Sequence, residues 1–237
     1  MLESTNRTAH ELAREGCPTV TVVLADRQTG GRGRRGRTWT ANAGESVLMS
    51  VILRPDINPE LAPRYTIAAA VGVCSAMTCR IPTARIKWPN DIVVGRKKLA
   101  GILLECSATA DKLNYLIVGI GLNVNAEGFD GDIADTATSV FLSVGTKFDR
   151  EPIIASMLNA MEIEFKNCET DAGFAQLMRR YTESSAVYQK QVSIVQGETV
   201  HHGTVTAFDE LGRIEILCGD NRKTVFDSGD VSLKYDF

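Results

Sequence analysis

The spacing of apolar segments changes near Ser184 and limits how this chain can fold. After Ser184, short apolar and β-branched runs follow one another closely, separated by turns rich in glycine, aspartate and asparagine. These runs predict five strands: Gln191–Val195, Gly203–Phe208, Arg213–Leu217, Lys223–Phe226 and Val231–Tyr235. Because so small a sheet must cover its own edges, we predict a small β-barrel over residues 185–237.

Residues 1–184 contain longer elements of both kinds and predict a larger domain. The strands predicted from apolar runs are Thr19–Asp26, Ser46–Leu53, Arg85–Trp88 continuing into Ile92–Val94, Lys98–Cys106 and Leu113–Val124. The predicted helices are Arg7–Arg14, Pro59–Arg80 and two within Phe148–Tyr181. The expected fold class is α+β, with a mixed β-sheet flanked by helices and a small barrel after it.

The composition is that of a globular protein and restricts what its whole surface can bind. The net charge is −3, so the protein as a whole does not attract polyanions, and any basic site must be local. The longest apolar run, Ile67–Val73, is much shorter than a membrane span, and the first residues do not form a signal peptide. We expect a cytoplasmic protein without a membrane or DNA partner.

Cysteine and histidine residues do not form a metal or catalytic pattern in the sequence. Without a C-x-x-C pair or zinc-like spacing, the six cysteines are expected to be reduced, structural thiols: Cys17, Cys74, Cys79, Cys106, Cys168 and Cys218. The three histidines are too few and too separated for a triad or a metal site: His10, His201 and His202. No serine or cysteine lies in a nucleophile elbow.

The segment Arg27–Arg37 holds five arginines and four glycines in eleven residues. Glycine lets backbone N–H groups approach a phosphate, and arginine offers forked donors to phosphate or carboxylate. Trp39 follows with a flat face for stacking. The spacing is not that of a Walker loop. The alternatives for this segment by itself are a solvated basic loop or a nucleic-acid-binding patch.

The segment Arg85–Asp91 ends a predicted strand with several polar side chains. Pro89 turns the chain, so that Asn90 and Asp91 can face a cleft. Asn90 and Asp91 near Lys87 suit a site for Mg²⁺ and phosphate, because Mg²⁺ at such sites is coordinated by few protein oxygens. The alternative is a plain strand end with an Asx turn.

Two later segments combine strand glycines with a polar residue. Lys98 stands at the start of an apolar strand, where an ammonium group can hold developing negative charge; the alternative is an exposed hairpin lysine. Gly101 within that strand, and Gly119 and Gly121 before Asn123 in the next, indicate close approach of a ligand or of another backbone.

Together and in this order, these segments resemble the catalytic domain of the biotin protein ligases, the biotin–[acetyl-CoA-carboxylase] ligase family. The segments that carry the resemblance are Ser4–Asn6, Gln28–Trp39, Lys87–Asp91, Lys98–Leu103 and Gly119–Val124. It implies a class II synthetase-like catalytic domain over residues 1–184 and an SH3-like barrel over residues 185–237. Because the chain starts at Met1, we expect the monofunctional type that lacks an N-terminal DNA-binding domain.

The resemblance also implies the role of each site residue. Biotin would be bound by Ser4, Thr5, Asn6, Gln28, Arg32, Gly33, Arg34, Lys98 and Gly101. ATP would be bound by Arg34, Arg37, Trp39, Lys87, Asn90, Lys98 and Asn123. The catalytic residues would be Arg34, Lys98 and Asp91, and Asp91 would also be the Mg²⁺ ligand.

The activity implied by the resemblance has two steps. Biotin reacts with ATP, in the presence of Mg²⁺, to give biotinyl-5'-AMP and pyrophosphate. The biotinyl group then passes to a lysine of a biotin carboxyl carrier protein, a domain of acetyl-CoA carboxylase or a related carboxylase. Family members are often dimers, so a homodimer is possible.

Three other functions are compatible with parts of the sequence. Lipoate or octanoate transferases resemble this fold but generally lack the arginine–glycine run, and competition between biotin and lipoate would separate the two. A nucleic-acid-binding module would show a steep salt dependence of binding. A biotin-binding regulatory protein without turnover would tolerate substitution of Arg34 or Lys98.

Overall fold

The computed structural model of the chain describes residues 1–219 and 221–233. The last strand predicted from the sequence extends to Tyr235, so its end lies outside the described residues. Asp220, in the predicted turn between the third and fourth barrel strands, lies outside them as well.

The larger part of the chain is built on a six-stranded sheet with the strand order β1-β2-β6-β5-β4-β3. Its strands are β1 Thr21–Ala25, β2 Ser46–Leu53, β3 Ala84–Lys87, β4 Asp91–Val94, β5 Lys97–Ala108 and β6 Leu113–Asn123.

Every pairing between these strands is antiparallel, so the prediction of a mixed sheet was wrong. The connections explain the difference. β3 and β4 are joined by Trp88–Asn90, β4 and β5 by Gly95–Arg96, and β5 and β6 by residues 109–112. Such short connections join antiparallel neighbours, whereas parallel strands need a crossover of about a dozen residues or more.

The two faces of the sheet bury different helices. Val51 of β2 and Val118 of β6 point into the larger core, while Ile52 and Ile117 point into a smaller one. Helix α1 covers the smaller core, and α2, α4 and α5 lie in the larger one. The helices are α1 Thr5–Arg14, α2 Pro63–Thr78, α3 Val140–Val144, α4 Arg150–Cys168 and α5 Asp171–Glu183.

Helix boundaries follow prolines and caps. The helix predicted from Pro59 begins at Pro63, after a separate 3₁₀ turn over Pro59–Leu61. Proline has no N–H to donate and suits the first turn of a helix rather than its interior. The two helices predicted within Phe148–Tyr181 are α4 and α5, and the side chain of Thr170 caps α5 by accepting a hydrogen bond from the N–H of Gly173. In the described residues, none of the helices has both the length and the apolar character needed to span a bilayer.

The C-terminal strands form a second, five-stranded antiparallel sheet with the order β10-β9-β8-β7-β11. They are β7 Gln191–Gln196, β8 Thr199–Phe208, β9 Ile214–Cys218, β10 Lys223–Phe226 and β11 Asp230–Leu233. Over the described residues the pairings make an open sheet, because none joins β10 to β11. The predicted closed barrel therefore remains a prediction.

Trp88 joins the two sheets. Its side chain is buried, and its indole Nε1 donates a hydrogen bond of 2.8 Å to the carbonyl oxygen of Gly212. Nearby, Tyr181 of α5 packs edge-on against Phe208 of β8, with ring centroids 5.1 Å apart. The C-terminal sheet is thus held against the larger part of the chain next to the Lys87–Asp91 segment.

Two of the six cysteines are buried, two are exposed and two are intermediate, and we expect alkylation to distinguish the buried thiols from the exposed ones. Burial raises the pKa of Cys74 to about 11 and that of Cys168 to about 12, so both stay protonated and shielded at pH 8. Cys79 and Cys106 are exposed. Iodoacetamide at pH 8, followed by peptide mass spectrometry, should label the two exposed thiols and leave the two buried ones unlabelled until the protein is denatured. Equal labelling of Cys74 in the folded protein would contradict this packing.

Candidate functional site

Three glycines on one face of the sheet leave a hollow beside α1. Gly101 of β5 pairs directly with Gly121 of β6, and Leu103 pairs with Gly119. Since alternate residues of a strand face the same side, Gly101, Gly119 and Gly121 all lie on the side that carries α1. Cross-strand glycine neighbours remove side-chain volume from the sheet surface, and a cavity opens there.

A polar network borders this hollow on the side of α1. The N–H and the hydroxyl group of Thr5 both donate to Oε1 of Gln28, at 2.7 and 3.1 Å. The hydroxyl of Ser50 lies 2.8 Å from Oγ1 of Thr5 and 2.6 Å from Oδ1 of Asn6, and its single proton can serve only one of them. Ser4, Thr5 and Asn6 are buried, so these neutral polar groups lie beneath the surface of the hollow.

The start of the chain holds this network in place. Leu2 forms a parallel bridge with Gln28, with its N–H bonded to the carbonyl of Arg27 and its carbonyl to the N–H of Thr29. Glu3 continues the contact, because its carbonyl accepts from the N–H of Gly30. The residues before Ser4 thus align Ser4–Asn6 with the beginning of the arginine–glycine run.

The arginine–glycine run folds into a hairpin-like loop over the hollow. Arg32 and Thr38 form an antiparallel bridge, and the N–H of Gly33 donates to the carbonyl of Arg37 at 2.7 Å. The tip, Arg34–Gly36, is a 3₁₀ turn. Like charges concentrated at such a tip repel one another, so the loop needs anionic or polar partners to keep this shape.

Arg34 and Lys98 bring positive charge to the cavity. The guanidinium of Arg34 donates to Oδ1 of Asn90 at 3.0 Å, and burial, followed by repulsion from Arg35, lowers its pKa. The ammonium of Lys98 lies 2.7 Å from Oδ1 of Asp91, with 38% of its side chain exposed. Both cations have neutral or singly charged partners, so each retains capacity to bind an anion in the cavity.

Trp39 lies across the glycine pair. A Cβ atom built on Gly121 would lie 2.4 Å from the indole ring, and one on Gly101 would lie 3.1 Å from it. Lys98 Nζ lies 5.6 Å from the centre of the same ring. The indole Nε1 is buried and has no hydrogen-bond partner within the described protein. A buried indole N–H usually has a partner, so this donor is available to a ligand.

The C-terminal sheet also reaches the cavity. Asp230, at the start of β11, accepts a hydrogen bond from Arg37 and lies 3.6 Å from Arg35. Gly229 packs near the ring of Trp88. The contact of Trp88 with the C-terminal sheet therefore also positions the Asp230 carboxylate.

The structure brings all the site residues predicted from the sequence together around one cavity. They are Ser4, Thr5, Asn6, Gln28, Arg32, Gly33, Arg34, Arg37, Trp39, Lys87, Asn90, Asp91, Lys98, Gly101 and Asn123. Asn123 is buried at the far end, where its amide donates to the carbonyl of Thr138 at 3.0 Å. Their individual roles remain predictions.

Sequence reasoning missed several residues of the site. Ser50 is the one polar residue in the interior of an otherwise apolar strand, β2, which was a visible signal. Glu105 is a charged residue following the apolar run of β5, also visible in the sequence. Asp230, Phe129 and Ile133 line the cavity, but their loops approach it from distant parts of the chain, and the sequence carried no local sign of this.

Comparison with known proteins agrees with this geometry. Residues 1–123 match the biotin/lipoate A/B protein ligase family. The chain is 32% identical over 235 residues to the biotin--[acetyl-CoA-carboxylase] ligase of Paracoccus denitrificans, which covers 97% of this chain and 96% of that protein. The chain belongs to the biotin/lipoate A/B protein ligase family. The resemblance to biotin protein ligases is confirmed.

Two further members of the family show how far the similarity extends. The bifunctional ligase/repressor BirA of Bacillus subtilis (strain 168) is 43% identical over 174 residues, which is 72% of this chain and 53% of that protein. The chain therefore spans about half the length of that relative. The structure of the biotin protein ligase from Aquifex aeolicus in complex with biotin and ATP superposes with a TM-score of 0.80 at 26% identity, covering 99% of this chain and 96% of that one.

The carboxylates of the cavity fit a Mg²⁺ ion that arrives with phosphate rather than a resident metal. In residues 1–219 and 221–233, no three Asp, Glu, His or Cys side chains cluster as a metal site. The carboxylates lining the cavity are Asp91 and Asp230, and each is paired with a cation. Mg²⁺ commonly takes only one or two carboxylates and fills its remaining positions with water and phosphate oxygens. Asp91, the Mg²⁺ ligand predicted from the sequence, is one of these two carboxylates.

A methyl group at Gly121 should displace Trp39 from the sheet. Because the new Cβ would lie 2.4 Å from the indole ring, Gly121→Ala should lower the free energy of unfolding by about 1–3 kcal/mol, the usual cost of overpacking. It should also shift the tryptophan emission. Thermal unfolding and fluorescence check both. Gly219→Ala is the matched control, since among the described residues, apart from its chain neighbours, no atom lies within 4 Å of its Cβ position. A control shift of equal size would contradict the assigned clash.

Proposed function

We propose that this chain is a biotin protein ligase that makes biotinyl-5'-AMP from biotin and ATP and transfers the biotinyl group to a lysine of a biotin carboxyl carrier protein. The observation that carries the proposal is one cavity with two kinds of lining. Neutral polar groups border one side, at Thr5, Asn6 and Gln28, and cations stand on the other, at Arg34 and Lys98. Biotin has the same division, with a neutral ureido ring at one end and a carboxylate at the other.

The biotin half of the proposal rests on polarity. The ureido group of biotin offers two N–H donors and one carbonyl acceptor, which neutral side chains can satisfy without charge. Ser4, Thr5, Asn6 and Gln28 supply such groups, and Arg32, Gly33 and Gly101 complete the wall. The hollow left by the strand glycines gives the apolar ring and valeryl chain room to lie against the sheet.

The nucleotide half rests on the cations. ATP phosphates would meet Arg34, Arg37, Lys87 and Lys98, with Asn90 and Asn123 as neutral donors. Trp39 would present its ring to the base or to the adenylate, and its N–H would gain a partner. Mg²⁺ bound with ATP, near Asp91, would neutralise phosphate charge.

In the first step, a carboxylate oxygen of biotin attacks the α-phosphorus, and the bond from that phosphorus to the bridging oxygen breaks to release pyrophosphate. Attacking and attacked groups are both anionic. Arg34 and Lys98 would lower this repulsion and hold the reactants in line. Closure of the arginine loop would keep water away from the mixed anhydride.

In the second step, the nitrogen of the carrier lysine attacks the carbonyl carbon, and AMP leaves with the former carboxylate oxygen. A lysine ammonium has a reference pKa of about 10.4, so it must lose a proton before it can attack. Asp91 is our candidate to receive that proton or to orient the amine, with Lys98 beside it to balance its charge.

The proposal also covers the domain boundary, the carrier, the location and the assembly of the chain. We place the domain boundary between residues 184 and 185 and propose that the C-terminal sheet closes as an SH3-like barrel beside the cavity. The carrier is a biotin carboxyl carrier domain of acetyl-CoA carboxylase or a related enzyme, and the reaction takes place in the cytoplasm. Association of two chains as a homodimer is compatible with this site.

Exchange of labelled pyrophosphate into ATP is the direct test of the first step. The purified protein should catalyse exchange that requires biotin, because pyrophosphate re-enters only through the biotinyl-AMP intermediate. Lipoate should not replace biotin or compete with it at equal concentration. Folded protein that exchanges without biotin, or that prefers lipoate, would overturn the proposal. Transfer is checked by mass spectrometry of a recombinant carrier domain.

Lys98 should matter for exchange in a way that its neighbour does not. Lys98→Gln removes a cation from the reacting phosphate and should reduce the rate of exchange roughly 100-fold or more. Lys97→Gln is the matched control, because Lys97 is exposed and does not line the cavity. Similar losses in the two variants would show that total charge at the hairpin, rather than the position of Lys98, controls the rate.

A further inference from the structure

Glu105 of β5 has a contact pattern that the proposed reaction does not explain. It lies on the same face as Gly101 and Leu103, two residues beyond the hollow, and 20% of its side chain is exposed. It is not among the residues that line the cavity. Its carboxylate thus lies outside the cavity lining, yet it contacts two segments that belong to that lining.

The two carboxylate oxygens of Glu105 are divided between those segments. Oε2 accepts a hydrogen bond of 2.7 Å from the side-chain amide of Asn6, and Oε1 lies 3.1 Å from Nη2 of Arg32. The amide oxygen of Asn6 is fixed at its other end, 2.6 Å from the hydroxyl of Ser50. One carboxylate thus connects the polar border of the hollow to the first arginine of the loop.

Asn6 has little freedom apart from this contact. A Cβ atom on Gly119 would lie 2.1 Å from Oδ1 of Asn6, so the amide lies flat against the backbone of β6. Because Asn6 is buried and held from both ends, Glu105 is anchored on that side. Arg32, in contrast, has 55% of its side chain exposed and has the freedom to move when its partner is lost.

The energy of the Glu105–Arg32 ion pair indicates whether the pair acts mainly on the stability of the fold or on the position of the arginine loop. An ion pair with one largely solvent-exposed partner, as Arg32 is here, contributes only a small part of the total stability of a fold. The same energy is enough to bias a short loop between two positions. The pair therefore has more effect on where the loop lies than on whether the protein folds.

The surroundings favour Arg32 as the cationic partner. His10 Nε2 lies 3.7 Å from Oε2 of Glu105. Burial lowers the pKa of His10, the Glu105 carboxylate raises it in part, and Arg14 and Arg32 lower it again, so that the net shift is downward. The imidazole is then neutral near pH 7, and its Nδ1 lies 3.3 Å from the hydroxyl of Tyr115. Arg32 is left as the charged partner of Glu105 in the described structure.

We propose that Glu105 is a positioning residue that ties Arg32 to Asn6 and so sets the arginine loop in register on the biotin side of the cavity. This inference rests on the proposed function for the identity of the ligand, biotin. The contacts of Glu105 with Asn6 and Arg32 do not depend on that function. The other end of the loop is held separately, by Asp230 through Arg35 and Arg37. Loss of Glu105 therefore loosens the biotin side alone.

The first test uses no ligand. Glu105→Gln keeps an oxygen that can accept from Asn6 but loses the charge that holds Arg32. Trypsin cleavage after Arg34 and Arg35, followed by mass spectrometry, should be roughly 2- to 5-fold faster than in the unchanged protein. Glu162→Gln is the matched control, because it breaks an exposed Glu–Lys pair on α4, and its cleavage rate should not change.

The second test separates positioning from a structural role. By calorimetry, Glu105→Gln should weaken biotin binding about ten-fold, as expected for loss of a charge-assisted contact. Binding of ATP alone should change less than two-fold, and KM for biotin should rise more than kcat falls. A variant that weakens both ligands equally, or that changes neither cleavage nor biotin binding, overturns the inference.

Arg32→Gln completes the test. If Glu105 acts through Arg32, the double variant should be cleaved no faster after Arg34 and Arg35 than the Arg32→Gln variant, whereas additive effects would contradict the coupling. Arg32→Gln alters an exposed side chain, so it gives the same cleavage measurement if Glu105→Gln fails to fold. The cleavage measurement stands even if biotin-dependent exchange is absent, so failure of the proposed function is distinguishable from failure of this inference.

Discussion

The site depends on the missing side chains of Gly101 and Gly121, which face each other across β5 and β6. With Gly119 two residues away, they leave a depression on the face of the sheet that carries α1. Trp39 can lie flat on the sheet only because of this depression, and Asn6 can reach the backbone of β6 for the same reason. The polar border, the loop and the cations are all arranged around that space.

A second constraint is the charge of the arginine–glycine run. Its arginines are too close to one another to be held together by their own loop, and three of them are instead held by different parts of the fold. Arg32 meets Glu105 on β5, Arg34 meets Asn90 after β3, and Arg37 meets Asp230 on β11. The loop thereby takes its shape from three separate elements, including one from the C-terminal sheet.

The sequence was sufficient to predict most of the elements and the identity of the segments that meet at the cavity. The glycines of β5 and β6, Lys98 and Asn123 were visible because they interrupt apolar strands. What could not be predicted is register, since only the paired strands show that Gly101 faces Gly121. Ser50 and Glu105 also stand out in their strands, but their roles depend on partners that are distant in the chain. Asp230 was missed for the same dependence on distant partners, without a local signal. The sheet was predicted as mixed because connection length was not weighed against strand direction.

The pairing of the arginines has a consequence for selectivity among polyanions. A loop with unpaired guanidinium groups would bind any phosphate polymer, including RNA, because binding releases the counterions of the polymer. Here Glu105 and Asp230 already neutralise part of that charge. An entering phosphate therefore replaces a protein carboxylate as the partner of an arginine, instead of binding an arginine that has no anionic partner. In the proposed complex, a single nucleotide makes this exchange with the arginines that line the cavity. The expected signature is a shallow dependence of nucleotide affinity on salt concentration.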